Sequence, residues 1–177
     1  MATFLPLLLL TSCSSKKNTG ATRFWQSFNT RFNVYFNGSE AYKAGLEEKE
    51  KGNKDNYTET LPLFPVGNEK SKTLGKSNFE TAITKCQKAI QLHSIKRRPI
   101  VKGNKRKSPK MKAYLSRKEF NPFLKNAWLL MGKAQFQKGD FLEAAATFSY
   151  IARQYAAEQL VAAEARIWLA RCYTQED

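Results

Sequence analysis

The strongest constraint on the fold is a Gly-Asp pair that separates two stretches with helical periodicity. Asn121-Pro122 supplies a helix cap followed by a proline that the first helical position tolerates. Apolar residues then recur every three or four positions until Gly139, which provides a left-handed stop. Asp140, with Glu143 three residues later, forms a capping-box pattern that begins a second helix. Two helices joined by two residues pack antiparallel, so the sequence predicts a helical hairpin.

The hairpin also resembles a tetratricopeptide repeat. Residues 127–134 (AWLLMGKA) and 139–144 (GDFLEA), followed by Phe148, match the small and aromatic positions of that repeat. The resemblance implies that the first helix packs on the second and that Phe148 contacts the next repeat. The packing positions that it assigns are Trp128, Gly132, Gly139, Ala144 and Phe148.

A further helix is predicted over Glu158 to Tyr173, where Ala165 and Leu169 keep helical spacing. This spacing is that of the first helix of another repeat, and the chain stops at Asp177 before a partner helix. Because terminal repeats need a polar cap, we expect the chain to be the N-terminal part of a longer protein.

The N-terminal half predicts two more helices. Ser77 and Glu80 form a second capping-box pattern before a helix that runs to Leu92 and buries Cys86 as a small apolar residue. An earlier stripe of aromatic residues also has helical spacing. We expect this stripe to pack on the helix from Ser77 to Leu92; the alternative is a docking surface for another protein. The stripe comprises Phe24, Trp25, Phe28, Phe32, Tyr35 and Phe36.

The positive charge of the chain is concentrated in one segment. Thirteen of the thirty Lys and Arg residues lie in residues 85–118, which contain no Asp or Glu. Pro99, Gly103 and Pro109 interrupt the run, which predicts a flexible cationic linker rather than a helix. Such a linker binds phosphates of nucleic acid or of anionic lipid, or it is a solvated insertion with no fixed partner. The candidate anion or partner contacts are Lys105, Arg106, Lys107 and Lys110.

The first residues resemble a bacterial lipoprotein signal. Phe4 to Leu10 form an apolar run that is too short to span a bilayer, and residues 10–13 (LTSC) resemble a lipobox. The resemblance implies that residues 1–12 are removed and that Cys13 carries diacylglycerol. Residues 1–12 contain no Lys or Arg, which departs from the usual signal peptide. The alternative is a buried N-terminal strand or helix with an incidental cysteine.

The sequence offers no recognisable catalytic or metal site. Three cysteines and one histidine lie far apart, so neither a zinc site nor a disulfide framework is expected. Residues 75–77 (GKS) lack the upstream glycine of a phosphate-binding loop, and His93 stands alone at a basic helix end. We therefore predict that the protein is not an enzyme and binds no metal or cofactor, apart from the covalent lipid on Cys13.

Four segments extend the resemblance to a specific family. Together with the lipobox and the repeat, they are similar to the tetratricopeptide-repeat lipoproteins of the type IX secretion and gliding motility machinery of Bacteroidota (PorW/SprE-like). The resemblance implies a scaffold anchored in the outer membrane, facing the periplasm, that binds other secretion proteins and has no chemistry of its own. The alternative is a basic helical nucleic-acid-binding protein that uses residues 96–118. The four segments are 30–38 (TRFNVYFNG), 54–59 (KDNYTE), 92–96 (LHSIK) and 118–123 (KEFNPF).

The predicted fold is all-α, with antiparallel helix pairs that begin a tetratricopeptide-repeat-like α-solenoid and with a flexible basic linker. Five regions are expected along the chain. They are a signal peptide (1–12), a polar tether (13–21), an N-terminal helical region with a diverged repeat-like pair (22–95), the basic linker (96–117), and one repeat followed by the first helix of the next (118–177).

Overall fold

A computed structural model describes residues 17–55, 57–58, 60, 66, 69–101, 103 and 108–175. Within these ranges the regular structure is entirely helical, which confirms the predicted all-α class. The helices are α1 (Gly20–Asn29), a π-helical segment (Thr30–Tyr35), α2 (Phe36–Gly52), α3 (Glu69–Thr73), α4 (Lys76–His93), α5 (Pro109–Leu115), α6 (Leu124–Lys138), α7 (Phe141–Gln154) and α8 (Gln159–Tyr173).

The first three elements form one continuous helix from Gly20 to Gly52. Its backbone stays right-handed at Thr30, where the π-helical segment begins, and at Phe36, the first residue after that segment. The Thr30 hydroxyl donates to the Gln26 carbonyl (2.6 Å) at the start of the π-helical segment. A π-helical turn widens the helix locally, and such turns are frequent at functional sites.

Helix α6 is the centre of the molecule. Helices α2, α4, α7 and α8 pack against it, and each of its residues is at least partly covered. Its polar side chains are also partly covered: Lys125 pairs with Glu158, and Lys133 pairs with Glu164 (2.7 Å). Between Pro122 and Lys138 only Pro122, which precedes the helix, is exposed, so this helix offers little free surface to a partner.

Helix α6 and helix α7 form the antiparallel hairpin that the Gly-Asp pair predicts. The rings of Trp128 and Tyr150 lie 4.5 Å apart at one end of the pair, and those of Phe136 and Phe141 lie 5.4 Å apart at the other. Gly139 joins the two helices in the left-handed conformation (φ 93°), as predicted.

The predicted helix caps are wrong in detail. Helix α6 begins at Leu124, and the Asn121 side chain instead accepts the backbone N–H of Phe123 (3.0 Å). Asp140 makes no capping hydrogen bond, because its carboxylate lies 2.8 Å from the Lys138 ammonium. Ser77 does not cap α4 either, since α4 already begins at Lys76, one residue earlier.

A close approach between α2 and α4 explains where α4 begins. Gly75 has φ 70°, and a Cβ atom there would lie 2.5 Å from the Gly45 carbonyl oxygen. A Cβ on Gly45 would lie 2.8 Å from the ring of Phe79. Glycine at both positions therefore allows the two helices to pack with the Phe79 ring fully buried between them.

The basic linker contains a short helix, so the prediction of a wholly non-helical segment was wrong. Helix α5 begins after Ser108, whose hydroxyl accepts the Met111 N–H (3.3 Å), and Pro109 occupies its first turn. The ring of Tyr114 packs edge-on against Phe120 (5.5 Å). Proline at a first helical position favours helix formation, so Pro109 begins a helix rather than interrupting the segment.

Candidate interaction surfaces

A polar junction around Asn121 connects three distant parts of the chain. The Asn121 side-chain amide donates to the Thr30 hydroxyl (3.0 Å) and to the His93 carbonyl (2.9 Å). Asn121 and Thr30 are both buried. Because buried polar groups are stabilised only when they are hydrogen-bonded, this junction fixes the π-helical segment against the end of α4 and the start of α6.

Glu119 completes the junction on its other side. Its carboxylate accepts the backbone N–H groups of Ile95 (2.8 Å), Phe120 (2.9 Å) and Asn121 (2.7 Å), and it also accepts the Ser94 hydroxyl. The Phe120 N–H also donates to the Ile95 carbonyl (3.0 Å). The two ends of the basic segment are thereby held together.

The role of Glu119 was not predicted, although the sequence carries a signal for it. Glu119 is the only acidic residue between Glu80 and Asp140. A single carboxylate in a strongly basic stretch is a signal of a structural role, and here that role is to accept three backbone N–H groups. Three of the four segments that carried the family resemblance, 30–38, 92–96 and 118–123, contact each other through Asn121.

The aromatic stripe faces solvent, so the expectation that it packs on the helix ending at Leu92 was wrong. The side chains of Phe24, Trp25, Phe32 and Phe36 are all more than half exposed, and α1 has no buried residue. Tyr35 is the exception, because its ring lies edge-on against Phe123 (5.0 Å). The other face of the N-terminal helix contacts the protein through Val34, which is buried, and through polar groups such as Gln26, whose Oε1 accepts the Nδ1–H of His93 (2.6 Å).

A cationic cleft lies where the basic segment returns to the start of α1. The Asn18 amide donates to the Arg97 carbonyl (2.6 Å), and the Arg23 guanidinium donates to Asn18 Oδ1 (2.6 Å). The cleft has a volume of about 470 Å³. Its cationic lining residues are Lys17, Arg23, Arg97 and Arg98, and its apolar lining includes Pro99, Ile100 and Met111.

The repeat positions lie at the contacts between α6, α7 and α8. A Cβ on Gly132 would lie 2.7 Å from the Phe148 ring, so that glycine allows the ring to pack directly on α6. Phe148 is fully buried and its ring stacks on Trp168 of α8 (5.8 Å, 16°). Ala144 is also fully buried, whereas Trp128 is only partly buried.

A second cleft, of about 460 Å³, opens between the end of α4 and the end of α7. Its walls include Trp128, Tyr150 and Tyr155 together with Gln91. The Tyr155 hydroxyl is buried and has no hydrogen-bond partner among the residues that the structure describes. Burial raises the pKa of this hydroxyl, so it remains a neutral donor.

Burial shifts the pKa values of two interior side chains, Cys86 and Lys49. Burial raises the pKa of the Cys86 thiol to about 12, which disfavours the nucleophilic thiolate. Cys172 is likewise buried. Burial lowers the pKa of Lys49 to about 8, and its ammonium donates to the Gln137 carbonyl. Within the described ranges no three His, Cys, Asp or Glu side chains cluster in a way that could hold a metal ion.

Four predicted site residues lie outside the described residues: Cys13, Lys105, Arg106 and Lys107. Lys110 is exposed in the first turn of α5. Among the helices that the structure describes, none combines the length and apolar character needed to cross a bilayer.

Comparisons with known proteins do not assign a function, so the assignment is based on the chain's own residues. The sequence matches no protein-family model, and no curated protein is significantly similar to it. The polar junction, the aromatic stripe, the two clefts and the hairpin contacts are therefore the features from which we reason about function.

Proposed function

We propose that the protein is a non-enzymatic scaffold lipoprotein of type IX secretion and gliding motility, anchored in the outer membrane and facing the periplasm. The observation that carries the proposal is the convergence at Asn121 of three segments that resemble the family. Thr30 and Asn121 are 91 residues apart in sequence, yet they are hydrogen-bonded. Segments that form one structural unit would be expected to resemble the same family together, which supports the resemblance.

The proposal includes a tetratricopeptide-repeat-like arrangement of the last three helices. The direct packing of Phe148 on Gly132 and its stacking on Trp168 of α8 support it. In such repeats a large aromatic residue on the second helix contacts the small position of the first helix and the helix that follows. Stacked helix pairs expose extended surfaces suited to peptides and helices.

The partner surface that we propose is the cleft between α4 and α7. Most of α6 is covered, but Trp128 of α6 reaches the wall of this cleft, where it and Tyr150 of α7 supply aromatic area to a partner. Aromatic side chains with one polar group are enriched at protein interfaces, which favours a protein partner here.

Photo-crosslinking in a secretion-competent cell tests the partner surface. A crosslinking residue at Gln91, which lines the cleft, should capture a component of the secretion machinery. The same residue at Gln87, which is exposed one turn earlier on α4, is the matched control and should capture much less. Equal capture at both positions would argue against the cleft, and recovery of nucleic acid instead of secretion proteins would favour the alternative function.

The lipid anchor has a separate test. Cells grown with radioactive palmitate should label the protein, and Cys13→Ala should abolish both the label and the stable association with the outer membrane. Protease added to intact cells should spare the protein if it faces the periplasm. Label that persists in the Cys13→Ala variant, or digestion in intact cells, would contradict this part of the proposal.

A further inference from the structure

The N-terminal helix exposes its apolar face to solvent, whereas an amphipathic helix ordinarily buries that face against a core. Its aromatic face points to solvent, with Phe24 70%, Trp25 61% and Phe32 56% exposed. The rings form one continuous surface, because Phe28 lies 6.2 Å from Phe24, 6.4 Å from Trp25 and 4.9 Å from Phe32. Contiguous apolar surface of this kind marks a site that meets another apolar phase.

Polar contacts hold the helix with this face outward. Gln26 pairs with His93, Thr30 with Asn121, and Asn18 with the Arg97 carbonyl, all on the side away from the rings. Turning the aromatic face inward would break these buried or half-buried hydrogen bonds. The exposure of the rings is therefore built into the fold.

Cations border the aromatic face, and the acidic residue beside it, Glu40, is paired with Lys43 (2.8 Å). The Arg31 guanidinium lies over the Phe32 ring (5.0 Å), and Arg23 lies at the other end, beside the cleft that Arg97 and Arg98 line. Ile100, on the rim of that cleft, is 83% exposed. Neither residues 17–39 nor residues 85–118 contain Asp or Glu. The surface therefore combines apolar rings with a positive border.

From this arrangement we infer that the aromatic face of residues 24–36 docks on an anionic phospholipid bilayer. The helix lies parallel to the membrane, its rings reach the boundary between headgroups and acyl chains, and the border cations contact lipid phosphates. Aromatic rings favour this boundary region, and arginine pairs with phosphate there. The docking goes beyond the proposed scaffold role and does not depend on a lipid at Cys13.

A single-stranded nucleic acid fits this surface less well than a bilayer. Base stacking needs rings that are presented separately along a groove. Here the rings of Phe24, Trp25 and Phe28 stack on each other, with interplanar angles of 28° and 16°, along the outside of a helix. A broad apolar boundary covers such a convex surface, whereas an extended strand does not.

Vesicle flotation with the full chain carrying Cys13→Ala tests the docking without an anchor. The chain should float with vesicles of phosphatidylcholine that contain phosphatidylglycerol. Replacing Trp25, Phe28 and Phe32 by Ser should lower this binding at least about tenfold, because three large apolar side chains leave the bilayer. The apolar run of residues 4–10 is the same in every variant, so its own contribution to binding cancels.

The matched control removes equally exposed apolar side chains elsewhere. Replacing Leu142, Leu160 and Ile167 by Ser should leave flotation unchanged, since these side chains are exposed on α7 and α8. Far-ultraviolet circular dichroism checks that both triple variants remain folded. Equal losses in the two triple variants, or equal binding to vesicles without phosphatidylglycerol, would overturn the inference.

Fluorescence quenching locates the surface independently of any folding defect. Trp25 is one of three tryptophans in the chain. Brominated lipids in the anionic vesicles should quench the fluorescence of the Cys13→Ala chain, and Trp25→Phe should remove most of that quenching. Unchanged quenching in Trp25→Phe would overturn the inference, as would protection of Trp25 by single-stranded RNA with no quenching by the vesicles.

Discussion

The N-terminal helix and the α6–α7 hairpin both carry aromatic residues at helical spacing, yet they use them in opposite ways. In the hairpin Phe136 and Phe148 are fully buried, and α7 turns its charged residues outward. In the N-terminal helix the rings are exposed, and it is Thr30 that is fully buried. The two regions therefore differ in which face meets the rest of the protein.

This difference shows what an amphipathic pattern does and does not specify. The pattern places the apolar side chains on one face of a helix, but the environment of that face depends on which neighbours pack there. Hydrogen-bond partners decide the matter for the N-terminal helix, since His93 and Asn121 meet its polar face. Each of the two regions can therefore be altered with the other as its reference.

The largest expected effect comes from truncating one buried ring and one exposed ring. Phe148→Ala should lower the free energy of unfolding by about 3–5 kcal/mol, because it leaves a cavity between α6, α7 and α8. Phe32→Ala should change it by no more than about 0.5 kcal/mol. Urea denaturation followed by circular dichroism measures both, and similar losses in the two variants would contradict the assignment of the core.

A glycine comparison tests how tightly the hairpin is packed. Gly132→Ala should cost about 1–3 kcal/mol of stability, because the new methyl group would lie 2.7 Å from the Phe148 ring. Gly20→Ala is the matched control: its nearest neighbour would be an Arg23 side-chain atom at 3.9 Å. Thermal melts of both variants decide the point, and a stabilised Gly132→Ala would show that the two helices are farther apart.

The polar junction should control whether the N-terminal helix stays docked. Asn121→Ala removes the donor to the Thr30 hydroxyl and the His93 carbonyl, and it should cost about 1–3 kcal/mol. Amide hydrogen exchange should speed up in α1 more than in α7. Asn37→Ala, which removes only an exposed hydrogen bond to the Asn33 carbonyl, should leave both helices unchanged. Uniform acceleration throughout the Asn121→Ala chain would argue against a local role.

The smallest expected effect is a pH dependence of stability that arises at His93, which is hydrogen-bonded to Gln26 of the N-terminal helix. Burial lowers the pKa of His93 below its ordinary 6.5, so the unfolded chain binds a proton more readily than the folded one. Stability is therefore complete above pH 6.5 and decreases as the pH falls through that value toward the lower folded pKa. His93→Gln should flatten this part of the profile, and an unchanged profile would assign it to other groups.

Local signals predicted most of the helices, and they failed where helix ends or faces depend on distant residues. Gly139 ended α6 as predicted, because a left-handed glycine acts on its own turn. The Asp140 cap failed because Lys138 pairs with its carboxylate. The caps predicted at Asn121 and Ser77 failed because tertiary contacts set both positions. Asn121 is held by its hydrogen bond to Thr30, and the start of α4 near Ser77 is set by the close approach of Gly75 to Gly45.

The candidate surfaces were predicted only in part. The aromatic residues and the basic segment are visible in the sequence, and a docking role for the aromatic stripe was one of the two interpretations. The cleft with the buried Tyr155 hydroxyl and the role of Glu119 were not predicted. Both arise where the end of α4 meets the segments beside α6 and α7, and no short-range pattern encodes that meeting.

The sequence by itself determined that this chain is helical, where its hairpin turns and where its charge is concentrated, since periodicity, glycine conformation and composition act within a few residues. The tertiary structure decided which faces are covered. Thr30 and Asn121 are 91 residues apart, and their hydrogen bond orients the N-terminal helix with its rings outward. Burial is a property of neighbours, and a helix gains its neighbours only when the chain has folded.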